Sequence, residues 1–141
     1  LRAASANGEA MKDASTLVAQ AYAAFNARDI DSALATMTEG VSWPKASEGG
    51  RAVGKQEIRD YWVRQWSQFD PRVRPLEVTA EAGGRMRVRV HQLIRSLGGA
   101  TLSDSEVVHV FTLHDGLISA MHLGEDAQAG AAPSAAFTRH P

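Results

Sequence analysis

Apolar positions recur every three or four residues in the first half of the chain and every second residue in the second half. Over 13–28, Leu17, Ala21, Ala24 and Phe25 share one helical face, with Val18 and Tyr22 beside them. That spacing predicts an amphipathic helix. Asp13 or Ser15 is placed to cap its start by accepting orphan backbone N–H groups. A second helix is predicted after a turn. Asp29 or Asp31 caps it, Ile30, Ala33, Leu34 and Met37 form its apolar side, and Gly40 ends it. Residues 41–43 read as a short strand closed by Pro44, and 46–54 as a loop with a strand of two or three residues. Ile58, Tyr61, Trp62, Gln65, Trp66 and Phe69 return to helical spacing and predict a third helix over 55–69, stopped by Asp70-Pro71.

Beyond Pro71 the period becomes 2, the signature of strands. Strands are predicted over 73–82, 85–97, 102–113 and 117–124. They are separated by Gly83-Gly84, by a Gly98-Gly99 loop and by a three-residue hairpin loop at 114–116, with Gly116 at positive φ. Met86, Val88, Val90, Gln92 and Ile94 lie on one strand face; Arg85, Arg87, Arg89, His91 and Arg95 lie on the other. Pairing Leu97 with Leu102 places Val90 opposite His109, Val88 opposite Phe111 and Gln92 opposite Val107. Helices first and antiparallel strands second argue for an α+β domain with the helices on one sheet face.

Two polar residues, Gln92 and His109, break the apolar pattern. His109 shares a strand face with Val107, Phe111 and Leu113. Two readings stand for it. It is a structural histidine bonded to Gln92 or to a helix side chain, or it is the polar group of a ligand pocket, able to donate a hydrogen bond or move a proton. Trp43 and Trp62 are candidates for an aromatic pocket wall, whereas Tyr61 and Trp66 read as core.

Three stretches, "AYAAFNARDIDSALATMTEGVSW", "GRAVGKQEIRDYW" and "VVHVFTLHDGLISAMHL", resemble the nuclear transport factor 2-like superfamily, in its SnoaL-like and ketosteroid isomerase-like branch. The resemblance covers roughly 13–124. It implies a curved antiparallel sheet wrapped around three N-terminal helices, forming a cone with an internal pocket. It also implies a homodimer through the convex sheet face. That face gathers Arg85, Arg87, Arg89 and His91 beside Val108 and Val110, and a monomer would leave the two valines wet. Such proteins include isomerases, polyketide cyclases, dehydratases and non-enzymatic members, so the fold does not name the activity.

Carried over residue by residue, the isomerase tyrosine position falls on Ala21, with Tyr22 adjacent, the base position on Lys45 and the protonated aspartic acid position on His109. None of the three groups matches, and no Asp or Glu lies on the pocket face between 107 and 123. The catalytic candidates are therefore His109, Lys45 and Tyr22. Trp43, Trp62, Gln92, Phe111, Met121, Phe25 and Met37 are the candidate ligand-binding residues. The reading is a small-molecule pocket for a largely apolar molecule, with or without cofactor-free isomerase, cyclase or dehydratase chemistry. A non-catalytic binding or accessory protein is the alternative.

Composition narrows this further. The chain has 141 residues, a formal net charge of -1 and no cysteine. One domain is expected, without thiolate metal sites or a polyanion-binding surface. His91, His114 and His122 do not converge in the inferred register, so no metal or cofactor is called for. No nucleic-acid or membrane partner is expected, and nothing is long and apolar enough to be a membrane span or an intact signal peptide. A cytoplasmic protein is the expectation. Residues 1–12 and 125–141 are expected to be flexible segments flanking a 13–124 domain.

Overall fold

The computed structural model describes residues 2–124, with side chains described from Asp13 onward. Among these residues the helices are α1 (Arg2–Asn26), α2 (Ile30–Leu34) and α3 (Lys55–Trp66). The strands are β1 (Met37–Pro44), β2 (Arg51–Val53), β3 (Phe69–Glu81), β4 (Arg85–Ser96), β5 (Thr101–His114) and β6 (Leu117–Leu123). They form one curved, unclosed sheet in the order β2-β1-β6-β5-β4-β3. Neighbouring strands are antiparallel except β1 and β6, which run parallel. The α+β class and the order of helices before the long strands are as expected. The residues of 125–141 lie outside the described part of the chain.

Several boundaries differ from the expectation, each for a local reason. Because α1 already runs from Arg2, neither Asp13 nor Ser15 starts it. Asp29 does cap α2, its carboxylate accepting from Ser32 N–H at 3.2 Å. The second helix ends at Leu34, and Met37 and Gly40 belong to β1. Pairing with the last strand decides this: Ile118 N–H donates to the Thr36 carbonyl at 2.8 Å, drawing the chain into the sheet. Gly40 lies in the irregular stretch between Met37 and Ser42 where β1 slips against β6. The third helix stops at Trp66, so Asp70-Pro71 falls inside β3. Both Pro71 and Pro75 are tolerated there because β3 is an edge strand. Asp115 (φ 52°) and Gly116 (φ 80°) form a two-residue hairpin loop, one residue shorter than expected.

The register of β4 on β5 is shifted by two residues from the expected one. Val88 faces His109, Val90 faces Val107 and Gln92 faces Ser105. The connecting loop is closed by Ser96 N–H to Ala100 O at 2.8 Å, and an irregularity follows Ile94. An even shift preserves the face of every side chain, so the pocket face survives the error.

The convex face differs from the expectation in one respect. Val108 is 4% exposed within the single chain. Gly124 lies against it, close enough that a Cβ at 124 would stand 2.6 Å from Val108 Cγ1. Within the arginine row, Arg89 pairs with Glu77 and Glu106, and the neighbouring His91 with Asp104. Val108 is therefore already covered within the single chain, whereas Val110 is half-buried.

Two side chains at the end of α1 fix it against the edge of the sheet. The Asn26 amide donates to Val73 O at 2.7 Å and accepts from Val73 N–H at 3.0 Å, in the manner of a neighbouring strand. Arg28, at φ 63°, donates to Asp70 and to Pro71 O and lies over the Phe25 and Trp66 rings. This anchoring holds the inward face of α1 over the concave side of the sheet. No helix among the described residues is long and apolar enough to cross a membrane.

Candidate functional site

Between α1, α3 and the concave sheet face lies a cavity of about 80 Å3. That is room for several waters, below the roughly 300–1,000 Å3 typical of small-ligand pockets. A ligand of the size of an aromatic ring must therefore move side chains as it enters.

Helix α1 brings Ala21, Tyr22 and Phe25 to the wall because they recur on its inward face. Helix α3 brings Tyr61, Trp62 and Gln65 by the same spacing. The sheet supplies Met37 and Trp43 from β1, Gln92 from β4, His109 and Phe111 from β5, and Met121 from β6. Trp62 packs edge-on against Trp43 and Phe25, with ring centroids 5.7 and 5.4 Å apart. Among the described residues lining the cavity, none is Asp, Glu, Lys or Arg.

The polar centre of the wall is a pair. The Tyr22 hydroxyl lies 2.7 Å from His109 Nδ1, and each residue is 6% exposed. The two rings are nearly parallel, with Phe111 edge-on to both. Burial pushes the His109 pKa down to about 4 and pushes the Tyr22 phenol well above its ordinary value. Both groups are therefore neutral at pH 7. A phenol is the better donor of the two and an imidazole nitrogen the better acceptor. Tyr22 O–H thus donates to Nδ1, and Nε2 carries the ring proton.

All seven residues singled out as ligand-binding line the cavity, as do Tyr22 and His109. The histidine has the helix side-chain partner that the structural reading foresaw, and that partner lines the same cavity. Lys45 is not part of the wall. The chain turns after Pro44, with Lys45 N–H bonded to Gly50 O, and its ammonium lies 3.8 Å from Glu48. An amine base inside the cavity is thereby corrected. Tyr61, expected as plain core, lines the cavity, while Trp66 does not. Gln65 was counted only as a helix-face position; a glutamine among aromatics at that spacing was the signal for it.

Helices packed into a curved, open sheet around an apolar cavity define the nuclear transport factor 2-like class. Within it, the chain belongs to the SnoaL-like domain family, whose model matches residues 18–121. No curated protein matches the sequence significantly. Among solved structures, TerC co-crystallised with polyporic acid is 26% identical, with a TM-score of 0.71, over 82% of this chain and 92% of that one. An NTF2-like protein of unknown function from Burkholderia pseudomallei is 22% identical, with a TM-score of 0.70, over 81% and 91%. A Sinorhizobium meliloti protein proposed to be a polyketide cyclase is 25% identical, with a TM-score of 0.66, over 77% and 94%.

Proposed function

We propose that this SnoaL-like protein binds a small, largely apolar molecule in its cavity and holds one ligand oxygen by a hydrogen bond from His109. The observation that carries this is the Tyr22–His109 hydrogen bond of 2.7 Å inside a wall that, among the described residues, is free of Asp, Glu, Lys and Arg. With Nδ1 engaged by Tyr22, the imidazole is fixed as a donor through Nε2. A fixed donor in an apolar site orients a carbonyl oxygen and costs no reorganisation on binding. The co-crystal of TerC with polyporic acid supports a small organic ligand for a chain of this fold.

A catalytic reading has one observation in its favour: two proton-bearing groups meet in one apolar cavity. The chemistry open to them is limited. An imidazole whose pKa is about 4 takes protons poorly at pH 7, so His109 polarises a carbonyl better than it abstracts a proton. Neutral histidine donors serve enzymes in this way. A cofactor-free isomerisation, cyclisation or dehydration passing through an enol would gain from such a donor.

Ligand-observed NMR with a panel of aromatic ketones and quinones, polyporic acid included, tests the binding reading. The expected result is binding by the parent chain and a loss of about tenfold or more in His109→Phe, the order of one buried hydrogen bond to a ligand. Absence of binding by every panel member, or equal binding by both chains, would overturn it.

A further inference from the structure

Pro44 at the end of β1 and Leu123 at the end of β6 both line the cavity, and Leu123 is 40% exposed. The two strands run parallel, so these ends lie on one side of the sheet and mark the cavity's rim there. The chain between β1 and β2, residues 45–50, forms a tip at that rim. Its backbone is bonded to itself. Lys45 N–H donates to Gly50 O at 2.9 Å, and Lys45 O accepts from Glu48 N–H at 3.0 Å and Gly49 N–H at 2.6 Å. Of residues 45–50, Ala46 alone lines the cavity.

The seam between this tip and α3 is polar. The Tyr61 hydroxyl accepts from Ser47 N–H at 3.2 Å and from Gln65 Nε2 at 3.1 Å, and lies 3.1 Å from Ser47 Oγ. Arg64 grips the Glu48 carboxylate with two bonds, of 2.8 and 2.9 Å, near the surface. The other seams of the cavity are harder to part. Phe25 of α1 packs edge-on against Trp62 of α3. At the β3 edge α1 is held by both Asn26 bonds and by Arg28, which lies over two aromatic rings. Parting a polar seam exchanges protein hydrogen bonds for water at small net cost, whereas parting an aromatic one exposes apolar surface. Moving the tip uncovers one alanine side chain of the wall.

We propose that the β1–β2 tip is a gate over the cavity. It swings away from α3 when Ser47 releases the Tyr61 hydroxyl and Glu48 releases Arg64. Gly49 (φ 89°) and Gly50 (φ 76°) absorb the change in backbone angles. Gln65 keeps its bond to the Tyr61 hydroxyl in the open form, so the phenol is not stranded. A molecule wider than the resting cavity enters by this route, at a rate set by local opening and not by unfolding of the sheet.

The chain has no cysteine, so a single one in the cavity wall reports access without any ligand. Ala21 is 6% exposed and lines the cavity. In Ala21→Cys the thiol is labelled with methyl methanethiosulfonate, a small neutral reagent, and the rate is followed by mass spectrometry. Labelling is expected to be far slower than that of a free thiol. Adding Arg64→Gln should raise the rate about threefold, the scale of an exposed ion pair, with the urea midpoint unchanged. Adding Tyr61→Phe, which keeps the ring and removes the shared oxygen, should raise it about tenfold. Adding Arg89→Gln, which breaks ion pairs on the convex face, should leave it unchanged. The inference is overturned when either tip variant labels no faster than its background, or when Arg89→Gln accelerates labelling as much as Arg64→Gln does. It is also overturned when Ala21→Cys already labels as fast as a free thiol, which would mean a cavity that stands open.

Discussion

Replacing His109 with phenylalanine lowers the stability of the fold by about 1–3 kcal/mol, and replacing Tyr22 with phenylalanine in the same chain restores most of it. The argument is one of unmatched polar atoms. His109 and Tyr22 are each 6% exposed and hydrogen-bonded to one another at 2.7 Å. Phenylalanine at 109 preserves ring size against Phe111 but strands the Tyr22 hydroxyl in an apolar wall. Removing both polar ends leaves two apolar rings in contact, which is close to neutral for a shape-conserving exchange. Denaturant unfolding of the parent, both single variants and the double variant gives the coupling directly. Additive single effects would mean that the hydroxyl and the imidazole do not depend on each other.

The second large effect is one of pH. Burial holds the His109 pKa at about 4, against 6.5 for an exposed histidine. Between those values the unfolded chain binds a proton that the folded chain refuses. Stability is therefore complete above pH 6.5 and is lost progressively as the pH falls toward 4, by roughly 3 kcal/mol in all. Among the described residues no Asp, Glu, Lys or Arg lines the cavity to offset this. Carboxylates such as Glu48 and Asp29, whose pKa values hydrogen bonds lower, act at more acidic pH. His122, lowered mainly by desolvation, contributes in the same direction but is exposed. In His109→Phe both of these backgrounds persist and the His109 component vanishes. Thermal or urea unfolding from pH 7.5 to 4 should therefore show a visibly flatter dependence in the variant. Parallel pH curves for the two chains would contradict a neutral, buried His109.

Periodicity was enough to read the helical faces and the alternating strands, because burial on one side imposes 3.6 or 2 on the chain. It also placed His109 and Gln92 on the cavity face, and that survived a two-residue register error. What it did not reveal depended on contacts distant in sequence. Met37 has helical spacing with Ala33 and Leu34, yet pairing with β6 draws it into β1. Tyr22 was legible as a neighbour of the face. Its role as the partner of His109 required knowing how α1 crosses the sheet, which Asn26 and Arg28 fix through β3. Lys45, weighed between an amine base and a loop lysine, stands outside the wall because the turn after Pro44 brings Glu48 back to it. Gln65 was hidden by its own neighbours, since a glutamine within an aromatic helical stripe looks like an ordinary position until the fold places it on the cavity wall.

The most direct test of the central claim is a crystal structure of the chain with a bound aromatic ketone. The account predicts the ligand in the cavity between α1, α3 and the sheet, with its carbonyl oxygen about 2.7–3.2 Å from His109 Nε2 and the Tyr22 bond to Nδ1 retained. A ketone bound outside this cavity, or inside it with an apolar edge against His109 and its oxygen held elsewhere, would contradict the account.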